Sequence, residues 1–353
     1  MHFGPTEAPQ WVHAVLRQMI VGVSIFFVLS GFVIATRYQG SVVFTAAWWR
    51  GYLWRRVARI YPVYFLLNGL ALAALYWPLP PGGAVRGLTL VFLSQSLLRG
   101  FSSTLKFVGI PQGWSLTVEE CFYFSAPVLL WAWQRWGLAG AARFVAAVTG
   151  GGLLLTLLCA GRPALHGFFG SYYHLFNFSF FGRVLEFVLG VGLARWWAAR
   201  PQQPGARWPW RTGLGVLLMG TVVGLMAALH SPRTAYDGQL HPGAIVLNNV
   251  FFPMAVALLL AGLLAERSWL RSALATRLMQ ALGRSSYFFY LVHVGLFSVW
   301  WQRQFGASAG MGWRFLATVA VAEIGYRLLE EPLRRRVLAY ALAPAPTAPT
   351  IAR

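Results

Sequence analysis

Acidic residues are nearly missing from this chain: nine Asp and Glu in 353 residues, against 29 Lys and Arg. With 11% charged and 58% hydrophobic residues, the composition argues against an ordinary soluble domain. It fits a polytopic helix bundle, whose lipid-facing surfaces need no charged face. Cysteine is as scarce. Cys121 and Cys159 both lie in apolar stretches and form no motif, so they read as structural thiols. One lysine, Lys106, accompanies 28 arginines, a bias that reflects a GC-rich genome more than function. There is no internal repeat and no soluble domain. No Gly-x-Ser-x-Gly elbow, Walker loop or His/Cys cluster with metal spacing occurs, so no common soluble-enzyme motif points to a reaction.

What is present is a series of nine apolar stretches, about 20–36, 60–78, 114–133, 144–160, 179–194, 213–230, 243–265, 285–301 and 313–329. Each approaches the roughly 17–25 residues that a helix rising ~1.5 Å per residue needs to cross ~30 Å of hydrocarbon. The expected fold is therefore all-α, a polytopic membrane bundle of about nine transmembrane helices. The domain runs over 1–339, and a disordered Pro/Ala-rich tail follows over 340–353.

The basic residues orient the bundle. Nineteen of the 29 fall in loops 37–59, 134–143, 195–211 and 266–284 and the tail from 330. Seven fall in the alternate loops, and Arg183, Arg314 and Arg327 lie inside spans. The positive-inside rule makes the Arg-rich set and the C-terminus cytoplasmic, in a plasma (inner) membrane protein. Topology and anionic head groups explain most of the net charge of +20, and no nucleic-acid partner is needed. An odd number of spans puts residue 1 outside, yet the first 19 residues hold no signal peptide. A further helix upstream of residue 1 is the simplest expectation.

With so few acids, each one beside a span is informative, because ionisable groups at membrane depth usually face a cavity or a partner. Glu119 and Glu120 open the span beginning at Trp114, at its expected outer end. Arg183 and Glu186 share a helix face, as an internal ion pair or as substrate ligands. Glu323 with Arg327 reads as structural, and Glu330-Glu331-Pro332 ends the last span ahead of Arg334, Arg335 and Arg336. On the cytoplasmic side, Arg50, Arg55, Arg56 and Arg59 interleave with Trp48, Trp49, Tyr52 and Trp54. That cluster is either a membrane anchor or a set of guanidinium forks for a polyphosphate ligand. Among the histidines, His13, His166, His174, His230 and His241 fall in outer loops or at span ends and read as solvated. His293 sits mid-span, as a packing or cavity-facing group. Gly190 and Gly192 read as close-packing positions.

Taken in order, these segments resemble the membrane acyltransferase-3 family. Gly22-Val23-Ser24-Ile25-Phe26-Phe27-Val28-Leu29-Ser30-Gly31-Phe32 is similar to its "GVxxFFVLSGF" segment, and Arg55-Arg56-Val57-Ala58-Arg59-Ile60-Tyr61-Pro62 follows at the usual distance. Trp114-Ser115-Leu116-Thr117-Val118-Glu119-Glu120-Cys121-Phe122-Tyr123 resembles "WSLxxExxFY", and Arg183-Val184-Leu185-Glu186-Phe187-Val188-Leu189-Gly190 resembles "RxxEFxxG". Leu282-Gly283-Arg284-Ser285-Ser286-Tyr287 through His293, then Glu331-Pro332, complete the series.

The resemblance implies ten helices in the family and transfer of an acyl group from cytosolic acyl-CoA to a hydroxyl of a carbohydrate or other extracytoplasmic acceptor. No resident cofactor is implied, since acyl-CoA is a substrate. In relatives the first helix carries an arginine or lysine and, ten residues later, a histidine that precedes the "GVxxFF" segment by roughly twenty residues. His2 matches that histidine as general base, and most of the first helix is not in this sequence. Glu119 would orient the histidine or bind acceptor hydroxyls. Arg56 and Arg59 would take the CoA phosphates. Trp114, Ser115, Tyr123, Arg183, Glu186 and His293 complete the expected substrate-binding set. A transporter or flippase without acyl chemistry, and an inactive truncated paralogue, are the alternatives.

Overall fold

The computed structural model describes residues 9–76, 84–200, 208–229, 238–306 and 310–342. They form an all-α bundle: α1 (Gln10–Arg17), α2 (Gly22–Tyr38), α3 (Ala46–Tyr76), α4 (Ala84–Gln95), α5 (Gly113–Cys159), α6 (Tyr172–Phe178), α7 (Phe180–Ala198), α8 (Trp210–Ala228), α9 (Pro242–Val246), α10 (Phe252–Ala265), α11 (Trp269–Leu274), α12 (Arg277–Val292), α13 (Leu296–Phe305), α14 (Met311–Gly325) and α15 (Glu331–Ala341). Among the described residues, six helical stretches are long and apolar enough to cross a membrane: Trp11–Tyr38, Ala46–Ala74, Gly113–Cys159, Tyr172–Ala198, Trp210–Ala228 and Pro242–Ala265. Large apolar side chains on their outer faces, such as Phe65 and Leu157, are exposed, as lipid contact requires.

The nine expected stretches map unevenly onto these helices. Two of them, 114–133 and 144–160, are the arms of α5. Gly137 (φ 58°, ψ −142°) breaks the helix between them. A Cβ on Gly140 would meet the Ala132 carbonyl, eight residues back, which a straight helix would hold about 12 Å away. The chain therefore doubles back there. The apolar stretch 285–301 is not one helix, because Gly295 at φ 97° separates α12 from α13. The stretch 313–329 divides into the 15-residue α14 and a π-helical turn, Tyr326–Glu330. Residues 343–353 of the expected tail lie outside the described residues, while Tyr340 and Ala341 still belong to α15.

The centre of the bundle is the crossing of α2 with α7. Gly31 abuts the Phe187 backbone and Gly190 abuts the Val28 carbonyl, so each helix presents a missing side chain to the other. That close approach lets Phe187 stack on Phe27 (4.7 Å) and on Phe122 of α5 (4.2 Å). Van der Waals packing of this kind drives helix association where lipid is as apolar as leucine.

A second feature positions the site. At Ser179 the chain is extended (φ −121°, ψ 155°) between α6 and α7, so the last carbonyls of α6 lose their helical donors. Three of them find another: Ser179 Oγ donates to the Leu175 carbonyl (2.7 Å), Asn249 Nδ2 to Phe176 (2.8 Å) and Arg183 to Asn177 (3.2 Å). Asn249 also donates to Gly182 (3.2 Å) from a π-helical turn, Leu247–Phe251. A break at membrane depth survives only with such replacements.

Candidate functional site

Arginines gather at one end of the bundle. A cavity of about 420 Å3 opens between α2, α3, α12, the Tyr326–Glu330 turn and α15. Six of its lining residues are Arg37, Arg55, Arg56, Arg59, Arg284 and Arg334; two are Glu330 and Glu331; Tyr287, Tyr326 and Ser286 supply hydroxyls. The sequence brings only Arg55, Arg56 and Arg59 together, one and three residues apart on α3. The remaining cations come from chain positions more than 200 residues later, or from the end of α2. Glu331 is spent locally, on Arg334 (2.8 Å) and Arg335 (2.6 Å). Hydrogen bonds from Arg334, and next from Arg335, hold its carboxyl well below the usual range, at about 2.

Arg56 lies in an aromatic frame. Its guanidinium carbon is 5.7 Å from the Tyr38 ring centre, 5.9 Å from Tyr52 and 5.5 Å from Tyr123, distances at which ring quadrupoles attract a cation. Tyr52 donates to the Tyr123 carbonyl (2.8 Å), which ties α3 to α5. The Tyr123 hydroxyl in turn donates to Glu119 Oε1, and Ser30 Oγ of α2 donates to the same oxygen (3.2 Å). Glu119 is 1% exposed, and Arg59 and Arg56 both lie within electrostatic reach of it. The acid expected at the outer end of its span thus lies one side chain behind the wall of the arginine cavity. Helical position alone put it at the outer end; its partners, Tyr123 one turn further along α5 and the arginines of α3, draw it toward the cavity.

The other sequence-selected residues form two separate groups. Arg183 and Glu186 are sealed from the surface, 2% and 0% exposed, in an ion pair of 2.8 Å. Ser24 accepts from Arg183 at 2.7 Å. The Arg183 guanidinium also lies 5.2 Å from the Phe27 ring and 5.9 Å from Trp114. This is an internal pair, and neither side chain reaches the arginine cavity. Trp114 itself is buried edge-on to Phe178 (4.9 Å).

Ser115, Tyr290 and His293 make the second group, with Gln112. Ser115 Oγ is 2.5 Å from the Tyr290 hydroxyl, and Gln112 Nε2 donates to the Tyr290 carbonyl (3.0 Å). His293 stacks on Phe289 (5.5 Å) with Nδ1 2.8 Å from the Tyr290 carbonyl and 3.3 Å from Gln112 Nε2. It sits where α12 ends, at the helix break. His2 lies outside the described residues.

Sequence reasoning missed several residues. His174, expected to be solvated, is 1% exposed with Phe178 stacked beside it. Arg99, counted as a loop residue, is also 1% exposed and donates to the Ile110 (2.5 Å) and Lys106 (3.3 Å) carbonyls. It clamps the loop that leads into α5. Nothing in the local sequence marks either residue. The free thiols Cys121 and Cys159 are half-buried and unpaired.

Comparison with known proteins fixes the class of chemistry. An acyltransferase domain model matches residues 2–324. This chain belongs to the acyltransferase-3 family of membrane acyltransferases. It is 30% identical to the acyltransferase MdmB of Streptomyces mycarofaciens, over 92% of this chain and 84% of that protein. It is 29% identical to the exopolysaccharide production protein ExoZ of Rhizobium meliloti, over 89% of each. Nodulation protein 10 of Rhizobium leguminosarum is 31% identical over 42% of this chain and 43% of that protein. No solved structure matches. The chain is thus a multi-pass membrane acyltransferase, acting between an acyl donor and an acceptor.

Proposed function

We propose that the chain transfers an acyl group from acyl-CoA, bound through its phosphates in the arginine cavity, to a hydroxyl of a carbohydrate or other acceptor across the membrane. The observation that carries this reading is the cavity itself, where six guanidinium groups converge beside a buried carboxylate. Arginine forks match phosphate oxygens in pairs, and a charge-assisted hydrogen bond is stronger than a neutral one. The positive-inside asymmetry supports a cytosolic position for this face, on the side of acyl-CoA and of the C-terminus. The name of ExoZ concerns exopolysaccharide production, which supports a carbohydrate acceptor.

In this reading Arg56 and Arg59 hold the donor. Glu119, fixed by Tyr123 and Ser30, orients the base or the acceptor hydroxyl. His2, at the start of the matched region, removes the hydroxyl proton as oxygen attacks the thioester carbonyl. The carbonyl carbon then gains the new ester bond, loses the thiolate of CoA, and the proton leaves with the base. The hydrogen-bonded group of Ser115, Tyr290 and His293 is assigned to the acceptor side, and the Arg183–Glu186 pair to the packed core.

Thioester consumption in membranes tests the assignment. Arg59→Ala raises KM for acyl-CoA at least about tenfold, the value of one charged hydrogen bond of roughly 1.5–3 kcal/mol. His2→Ala lowers kcat by ~10²–10⁴. An unchanged KM in the first variant contradicts the donor site, and full turnover in the second contradicts the base.

A further inference from the structure

Two acids line the arginine-rich cavity, and they differ. Glu331 engages Arg334 and Arg335 through both carboxylate oxygens. Glu330 is 8% exposed, and its Oε2 is buried without a hydrogen-bond partner. It closes the π-helical turn Tyr326–Glu330, where one extra residue per turn re-aims the side chains that follow. The charged groups facing it are Arg59 of α3 and, on its own side, Arg334 and Glu331. Arg59 is open to the cavity and has two carboxylates within electrostatic reach, Glu119 and Glu330.

Burial pushes the Glu330 carboxyl up to about 7 against the pull of Arg59. Above that pH it is a carboxylate with a spare oxygen beside a cavity arginine and occupies part of the field that an incoming phosphate oxygen would use. We propose that Glu330 is a built-in competing anion, which sets the affinity of the cavity for phosphate-bearing ligands by partly neutralising Arg59 when the site is empty. It rests on the donor-site reading above. It gives that site a way to release spent CoA: the ligand's phosphate loses part of its attraction to Arg59, and dissociation is faster than it would be without Glu330. Glu331, with its lone pairs satisfied, has no such role.

Equilibrium binding of coenzyme A to the full chain in zwitterionic nanodiscs, at a pH above about 7 where Glu330 is ionised, tests this. Glu330→Gln keeps the shape and removes the charge, and tightens binding on the order of three- to tenfold, as expected for removal of one partly screened like charge. Glu330→Ser gives the same direction if the Gln variant does not fold. Arg59→Ala weakens binding, and combining it with Glu330→Gln abolishes the gain, because the two charges act on each other. Unchanged or weaker binding in both Glu330 variants overturns the inference, while a loss in Arg59→Ala leaves the donor site standing. No coenzyme A binding by the wild-type chain overturns both. Coenzyme A binding that anionic lipid displaces equally from wild type and from both Glu330 variants assigns the cavity to a lipid head group and overturns the proposal.

Discussion

The Arg183–Glu186 pair lends itself to a direct test of structural against substrate-binding roles. Both side chains are almost fully buried, and the guanidinium donates to Glu186 (2.9 Å), Ser24 (2.7 Å) and the Asn177 carbonyl (3.2 Å). Arg183→Met removes all three donors together. Glu186, whose Oε2 already lacks a partner, is left as a buried carboxylate, and the carbonyl at the α6–α7 break is left open. Removing one member of a buried pair costs about 3–5 kcal/mol, which for a chain of this size lowers the melting point by roughly 4–7 °C. Cys121 and Cys159 are free and half-buried, so a thiol-reactive fluorophore reports unfolding in detergent. Arg183→Met combined with Glu186→Met recovers most of the loss, because a well-packed apolar pair replaces a buried ion pair at little cost. A single variant that melts with wild type, or a double variant that melts as low as the single, refutes the structural role. Wild-type melting with lost turnover would instead assign the pair to substrate.

Two further variants probe the frame around the site. Gly190→Leu pushes a side chain into the Val28 carbonyl and the Phe32 amide, parting α2 from α7. It costs about 1–3 kcal/mol or more by overpacking, and an unshifted melt contradicts the close crossing. Asn249→Ala strips the donor from the Phe176 and Gly182 carbonyls, worth roughly 1–3 kcal/mol. Hydrogen exchange across 176–184 should quicken, and unchanged protection there contradicts the stitched break.

The parts legible in the sequence are those with local spacing. Arg55, Arg56 and Arg59 stand out because arginines are costly near lipid, and their spacing on one helix needs no tertiary knowledge. Arg183 and Glu186, three apart, announce their pairing in the same way, as does Gly190 of the α2–α7 crossing, whereas its counterpart Gly31 carries no such local mark. The other half of each site comes from distant chain. Arg284, Glu330 and Arg334 reach Arg59 across more than 200 residues, and Ser24 reaches Arg183 across 159. Hydropathy also hides breaks in apolar runs. Gly295 interrupts a helix without changing mean hydropathy, so 285–301 reads as one span but forms parts of two helices. His174 is misread for a related reason: it ends up buried beside Phe178, and its surroundings are set by the fold.

The central claim is that the arginine cavity holds the acyl donor. The most direct measurement is the dissociation constant of coenzyme A for the wild-type chain, Arg59→Ala and Arg143→Ala in zwitterionic nanodiscs. Arg143 is a fair control, since it stacks on Trp136 (5.9 Å) and does not line the cavity. The account predicts binding weakened at least about tenfold by Arg59→Ala, from loss of one charged hydrogen bond, and unchanged by Arg143→Ala. Equal affinities in all three proteins would contradict it.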